Sequence, residues 1–205
     1  AIYAKAQDGS EVSDYCCVTV KENISNSTED KSQPKVNEST VADPVDVLSG
    51  AHILKNTLMT LFGGQGLTLV AHYDSTKLSH GVLGTGWYHN YEKRLEKLEC
   101  EVRVYNSPAT YLRYTPNSDY TVYTCTAPNK NGYVLTVDCS QQYPYILNCN
   151  SERTEYYDSE GYLGKIVDHQ GFETLIAYSD TVITITDTVS GKKMYMEKDS
   201  TGKVV

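Results

Sequence analysis

Five histidines, His52, His72, His80, His89 and His169, are the residues of this chain best suited to chemistry, since an imidazole can act as base, proton carrier or metal ligand. They are dispersed. None has a second histidine or a carboxylate at ligand or catalytic spacing, so each reads as a satisfied core or surface residue. Asp43 and Asp46 could in principle form the carboxylate pair of a glycosidase, but those roles depend on a separation that sequence does not fix. Ser49-Gly50 lacks the surroundings of a nucleophile elbow. Gly84-Thr85-Gly86 has neither a further glycine at dinucleotide spacing nor the Lys-Ser/Thr of a phosphate loop, and reads as a tight turn carrying the backbone beneath Trp87. With no nucleophile, base and orienting group to assemble, the chain is expected to be no enzyme and to hold no cofactor or metal.

Six cysteines, Cys16, Cys17, Cys100, Cys125, Cys139 and Cys149, contain no Cys-x-x-Cys pair, which argues against a zinc ribbon or a thioredoxin-like site. Cys125 with Cys139, or Cys139 with Cys149, could face each other across hairpins in an oxidising exterior. The other reading is free, small, buried hydrophobes. Adjacent Cys16 and Cys17, which a strand would send to opposite faces, favour it.

The elements that must carry these residues are strands. In 205 residues there are 18 Tyr against 2 Phe and 1 Trp, a balance suited to pleated, half-buried surfaces. The net charge of -8 argues against a nucleic-acid footprint, and no apolar run approaches the roughly 18 residues of a membrane-spanning helix. With no signal pattern at its N-terminus, the chain reads as an excised fragment or a processed product.

Alternation of apolar and polar residues predicts strands at 67–73, 102–105, 111–114, 120–123, 133–137 and 182–186. Asn106-Ser107-Pro108, Pro116-Asn117-Ser118-Asp119 and Asn129-Lys130-Asn131-Gly132 read as turns between them. Tyr91-Glu92-Lys93-Arg94-Leu95-Glu96-Lys97-Leu98-Glu99 instead places apolar residues at helical spacing among strong helix formers. Residues 1–22 form two alternating runs about an Asp8-Gly9 turn, a hairpin, and residues 23–41 are a polar linker. The sequons at Asn23, Asn26 and Asn37 fall within that composition.

The C-terminal part repeats. Tyr157-Asp158-Ser159-Glu160-Gly161-Tyr162-Leu163 recurs as Lys198-Asp199-Ser200-Thr201-Gly202-Lys203-Val204, with Asp168-His169-Gln170-Gly171 and Asp187-Thr188-Val189-Ser190-Gly191 between. Each unit amounts to two strands and a hairpin. Asp158 and Asp199 are expected to bond the backbone two residues on, while Gly161 and Gly202 take the positive φ that closes the turn. Calcium spacings are absent.

Three blocks in order carry a family resemblance: Asp43-Pro44-Val45-Asp46-Val47 with Ser49-Gly50; Gly66-Leu67-Thr68-Leu69 with Tyr73-Asp74-Ser75; and Leu83-Gly84-Thr85-Gly86-Trp87-Tyr88-His89-Asn90-Tyr91. From Asp43 to Val205 the chain resembles the N-terminal module of Rhs/YD-repeat proteins running into its first repeats. The repeats depart from the pattern at Tyr178-Ser179-Asp180 and at Lys198. Residues 1–22 resemble the tail of a bacterial immunoglobulin-like group 2 domain. The resemblance implies 42–150 as the Rhs N-terminal module, 151–205 as the first YD repeats, and a strand rather than a helix after Trp87. It implies an all-β fold, an antiparallel meander of stacked hairpins forming part of a YD-repeat sheet or shell. Asp43, Pro44, Asp46, Gly50, Gly84, Gly86, Trp87, His89 and Tyr91 then serve as structural motif residues, with Asp158, Gly161, Asp199 and Gly202 in the turns. The expected function is non-catalytic: a segment that starts and caps a β-shell of a large secreted or surface bacterial protein, a shell that in the toxins of the family encloses a C-terminal toxic domain. The alternative is a cell-surface adhesin whose repeats bind carbohydrate. Expected partners are the rest of the shell, its cargo, and glycans for the alternative, with no nucleic acid and no membrane span.

Overall fold

The computed structural model describes residues 2–5, 13–16, 51–77, 80–107, 110–126 and 132–205, and among them it has strands and turns but no helix. The strands are β1 (Ile2–Lys5), β2 (Ser13–Cys16), β3 (Ile53–Leu61), β4 (Leu67–Asp74), β5 (His80–Gly81), β6 (Gly84–Thr85), β7 (Trp87–His89), β8 (Arg94–Lys97) and β9 (Val102–Ser107). They continue as β10 (Thr110–Pro116), β11 (Val122–Cys125), β12 (Val134–Val137), β13 (Tyr145–Asn148), β14 (Arg153–Tyr157), β15 (Leu163–Asp168), β16 (Glu173–Tyr178), β17 (Val182–Asp187) and β18 (Lys193–Glu197). The expected all-β antiparallel meander is the architecture found: β8 to β18 pair in chain order. β1 and β2 pair with each other and extend this sheet along β18, making thirteen strands. β3, β4 and β7 form a separate three-stranded sheet, and β5 pairs with β6. The Asp8-Gly9 turn, the linker and the entry-motif residues Asp43, Pro44, Asp46 and Gly50 lie outside the described residues.

Period-two burial explains why these segments are strands. Leu67, Leu69 and Ala71 of β4, Val102 and Val104 of β9, Ile183 and Ile185 of β17, and Met194 and Met196 of β18 are buried at alternate positions. All of these but Ala71 join one apolar cluster drawn from both the long and the three-stranded sheet. Tyr114, Tyr123 and Tyr157 are fully buried within it, so several tyrosines are core residues rather than half-wet surface. Helical propensity after Trp87 is overridden: Leu95 pairs with Val104 and is buried, as the resemblance implies for this stretch. The strand expected at 120–123 begins at Val122. Tyr120 has φ 58° and belongs to the turn, where the Asn117 side-chain oxygen accepts from the amides of Thr121 and Val122, both at 3.1 Å.

The Asp-x-x-Gly turns share one hydrogen-bond pattern. Asp158 Oδ1 accepts from the amides of Glu160 and Tyr162 (3.0 and 2.9 Å), Asp168 Oδ1 from those of Gln170 and Phe172 (2.8 and 3.0 Å), and Asp199 Oδ1 from those of Thr201 and Lys203 (2.8 and 3.1 Å). In each, the glycine amide bonds the aspartate carbonyl at 3.0 to 3.1 Å. These aspartates are turn-builders.

The long sheet curls until its first strand meets its own later part. Leu95 N donates to Gly161 O at 2.7 Å, Leu163 N to Lys93 O at 3.4 Å, and Arg94 bridges Tyr162, so β8 lies against the β14–β15 turn. The sheet does not close into a barrel, because β15 to β18 continue past this contact. The β3–β4 tip reaches the far end of the curl. Gln65 donates to Glu173 O at 3.2 Å and to Thr174 Oγ1, and Lys192 Nζ donates to Phe62 O at 2.5 Å.

Register rules out both hairpin disulfides raised by the sequence. Val134 pairs with Asn148 and Val137 with Tyr145, so Cys139 lies beyond one end of the β12–β13 hairpin and Cys149 beyond the other. Cys125, whose amide bonds Tyr133 O, is at the Cys149 end. At about 3.3 Å per residue the separation from Cys139 exceeds the roughly 7 Å limit for a disulfide. Cys100, Cys125, Cys139 and Cys149 are free thiols. Cys100 and Cys139 are exposed, whereas Cys149 is buried and its thiol is pushed up to about 11 by burial first and by Glu155 second. An aromatic disulfide reagent at pH 8 is therefore expected to titrate Cys100 and Cys139 rapidly and Cys149 only after denaturation.

Candidate functional site

The Trp87 segment is pinned to β4 by side chains that imitate strand pairing. Asn90 Oδ1 accepts from Val70 N at 2.8 Å while its Nδ2 donates to Thr68 O at 3.0 Å. Trp87 pairs with Tyr73, their rings 5.1 Å apart, and Tyr88 stacks on His72 at 5.1 Å. The glycine turn expected to carry the backbone beneath Trp87 makes its close approach at Gly86, against the Tyr73 ring. Gly86 has φ 74°, and a Cβ there would lie 2.9 Å from Tyr73 Cε2 and 3.0 Å from Asp74 O. Gly84 also has positive φ but faces open space. His72 is lowered by burial and by Lys55. Tyr91 is buried, which raises its hydroxyl against opposing hydrogen bonds from Asn90 and Thr68.

His89, 1% exposed, turns inward from this segment. Its Nδ1 accepts from Tyr91 N at 3.3 Å, which places the ring proton on Nε2. Nε2 has no hydrogen-bond partner and lies 3.9 Å from Glu92 Oε2. Glu92 Oε1 accepts from Val82 N at 2.9 Å and Oε2 from His89 N at 3.4 Å. Burial pushes Glu92 up to about 7, outweighing these two bonds, and pushes His89 down to about 3. Both groups line a cleft of about 860 Å³, with Val82, Tyr162, Ile176 and Tyr178 among its walls. Tyr162 and Tyr178 stand 5.4 Å apart, both partly exposed, and burial followed by Glu92 raises the Tyr178 hydroxyl.

These two titrations act on stability with opposite signs. Glu92 has a folded value above its ordinary 4.5, so its contribution is full below pH 4.5 and is lost as pH rises through about 7. His89 has a folded value below 6.5, so its contribution is full above pH 6.5 and is lost as pH falls toward about 3. Between pH 4.5 and 6.5 folded and unfolded pairs each hold one proton, and the slopes cancel. Glu92→Gln removes the cancellation. Thermal melts are expected to show the variant losing stability below pH 6.5, by about 2 to 3 kcal/mol more than wild type at pH 4.5.

A second polar cluster fastens the same segment to the long sheet. Glu155, 1% exposed on β14, accepts from Lys93 Nζ at 2.5 Å and Arg153 Nε at 2.6 Å through Oε1, and from the Tyr157 hydroxyl at 2.6 Å through Oε2. Burial alone would raise its carboxyl; Lys93 and Arg153 outweigh burial and hold it below the usual range. Glu92 and Glu155 were not among the sequence candidates. The alternation of Arg153, Glu155 and Tyr157 into the core face was the available signal for Glu155, an acid at an inward strand position.

The structure brings Gly86, Trp87, His89 and Tyr91 together, and sets Asp158 and Gly161 at the cleft and curl. Asp199 turns the chain after β18, with Gly202 on the cleft wall. Elsewhere the tyrosines pack under cations: Arg94 over Tyr105 at 4.6 Å, Arg103 over Tyr111 at 4.8 Å and Lys165 over Tyr156 at 4.3 Å. Among the described residues no group of three His, Cys, Asp or Glu could hold a metal, and no helix is long and apolar enough to cross a membrane.

Comparison with curated proteins yields no match. A family model does match: residues 42–114, the stretch holding β3 to β9, the Trp87 segment and most of β10, correspond to a domain of unknown function, DUF6531.

Proposed function

We propose that this chain is a non-catalytic structural segment of a large secreted or surface-exposed bacterial protein of the Rhs/YD-repeat type, one that starts and caps a β-shell around a C-terminal toxic domain. The observation carrying this reading is the curl, in which β8 is met by the β14–β15 turn while further hairpins continue outward. A sheet that passes its own first strand can keep winding, and the three-stranded sheet packed into the shared core supplies a plug at the start. Repeated Asp-x-x-Gly hairpins add strands by nearest-neighbour pairing, as a growing wall requires. The test is electron microscopy and limited proteolysis of the full-length natural protein. Residues 51–205 are expected to form one end of a hollow shell, with the C-terminal region resistant to protease. An extended array with an accessible C-terminus overturns the reading.

A second reading, an adhesin that binds carbohydrate, is favoured by the partly exposed Tyr162 and Tyr178 in a cleft that also presents Asp158 and Asp180. Sugar rings stack on aromatic faces while their hydroxyls bond carboxylates. Saturable glycan-array binding that Tyr162→Ala abolishes supports it; an empty array, or binding that survives the substitution, overturns it.

A further inference from the structure

The last Asp-x-x-Gly turn sends the chain back along a strand edge that is already taken. We propose that the outer edge of β18 is a strand-accepting site for chain continuing from Val205, that β1 holds it as a stand-in, and that the β1–β2 hairpin is displaced once the continuing strand pairs. This rests on the reading of the chain as the start of a growing repeat sheet.

The turns at Asp158, Asp168 and Asp187 each return the chain as a strand that pairs antiparallel with the one before it: β15 on β14, β16 on β15 and β18 on β17. Asp199 makes the same side-chain bonds as Asp158 and Asp168, and its return has begun. Lys198 bridges Val204, and Val205 N donates to Glu197 O at 3.1 Å. The Lys198 amide of the same peptide group points the other way and donates to Thr181 O at 2.8 Å, so Val205 lies on the edge of β18 away from β17. Continued in register, the first residue past Val205 faces Met196, and those after it face Tyr195, Met194 and Lys193 in turn. These are the positions that Ile2, Tyr3, Ala4 and Lys5 occupy, in the same direction and with no offset. Each edge group pairs with one strand, so the two occupancies exclude each other.

The two occupants are held unequally. β1 and β2 have four residues each, and a two-stranded hairpin of that size is marginal in water, so its order depends on β18. A strand continuing from Val205 is joined to β18 by a tight turn. β1 is joined to it through nearly the whole chain, and closing that long loop costs more chain entropy. Val204 N also donates to Val82 O at 2.8 Å, so the start of the return is fixed from both sides before any residue beyond it is placed. Until that strand arrives, β1 covers an edge that is otherwise a template for pairing between copies. Its arrival frees β1 and β2 together.

The test strand comes from the chain itself. A second copy of residues 183–197, the β17–β18 hairpin, is appended to Val205, so that its Ile183, Thr184, Ile185 and Thr186 meet Met196, Tyr195, Met194 and Lys193 in the pairs β17 already makes on the other edge. The Tyr3 and Lys5 amides are the reporters, because Tyr195 and Lys193 alternate with Glu197 in presenting their backbone groups to the outer edge. In the 205-residue chain both are expected to exchange slowly. In the extended chain they are expected to exchange at least about a hundredfold faster, while Tyr195 and Lys193 stay protected. Thr184→Pro in the appended copy, which removes a pairing amide, is expected to restore slow exchange at Tyr3 and Lys5. Reporters that stay slow in the extended chain, or are already fast in the 205-residue chain, overturn the proposal. Should the extended chain fail to fold, a short amine cross-linker decides, since Lys5 and Lys193 are register partners. A Lys5–Lys193 link formed in the 205-residue chain and absent from the full-length natural protein sustains displacement; a link in both or in neither overturns it. An extended array in electron micrographs overturns the shell reading and leaves this outcome untouched, because displacement needs only one further hairpin.

Discussion

Glu155→Ala is expected to destabilise the protein by about 3 to 5 kcal/mol, the largest effect of any single polar substitution here. The carboxylate is 1% exposed and serves three donors, so its removal leaves the Lys93 ammonium and the Tyr157 hydroxyl buried without an acceptor. Arg153, about a third exposed, can turn to water. Equilibrium urea unfolding at pH 7 measures the loss. The pH profile identifies its origin. Because Glu155 is held below its ordinary value, its stabilisation is present above about pH 4.5 and is lost as pH falls through the folded value. The wild-type advantage over Glu155→Ala should therefore shrink in acid. Lys93→Met in the Glu155→Leu background is expected to recover part of the loss, since a fully apolar pair leaves no buried charge.

Gly161→Ala is expected to cost about 2 to 4 kcal/mol, combining the left-handed backbone penalty with a steric clash. Gly161 has φ 87°, and an added Cβ would strike the Leu95 carbonyl, with its oxygen in collision and its carbon at 3.0 Å. Gly202→Ala is the internal control. That glycine occupies the same Asp-x-x-Gly turn with φ 80°, but nothing lies within 4 Å of its added Cβ, so only about 1 to 2 kcal/mol is expected. The difference between the two melts isolates the contact by which the sheet curls onto β8. Exchange of the Leu95 amide, which bonds Gly161 O, should accelerate in Gly161→Ala and not in Gly202→Ala.

The turns were legible because their chemistry is local. Asp158, Asp168 and Asp199 each find their partners within four residues, so sequence alone names the bonds. Strands buried on one face were legible for the same reason, as at Leu67 to Asp74 and Val182 to Asp187. Ile53 to Leu61 escaped notice because a register shift between Thr57 and Met59 breaks its alternation and most of its side chains face water at least in part. Arg94 to Lys97 carried helical propensity, and only its pairing with β9 and the Gly161 contact makes it a strand. The Trp87 block was recognisable as a motif. Glu92 and Glu155 were not, because a glutamate reads as surface until distant residues bury it; Lys93 and Glu155 are 62 positions apart.

The reach of the β3–β4 tip sets an order of events as the chain leaves the ribosome. β8 to β18 pair with sequence neighbours and can zip as each hairpin emerges, a low-contact-order process. The three-stranded sheet emerges before them, yet its tip meets one of its partners only near β18. Phe62 O meets Lys192 across 130 positions, and Leu67 and Leu69 share their buried cluster with Met194 and Met196. During synthesis of everything between, the core cluster that Leu67 and Leu69 join is incomplete and its apolar surface is open to chaperones or to self-association. A nascent chain halted before β18 lacks Met194 and Met196, and its core cluster is left open at that side.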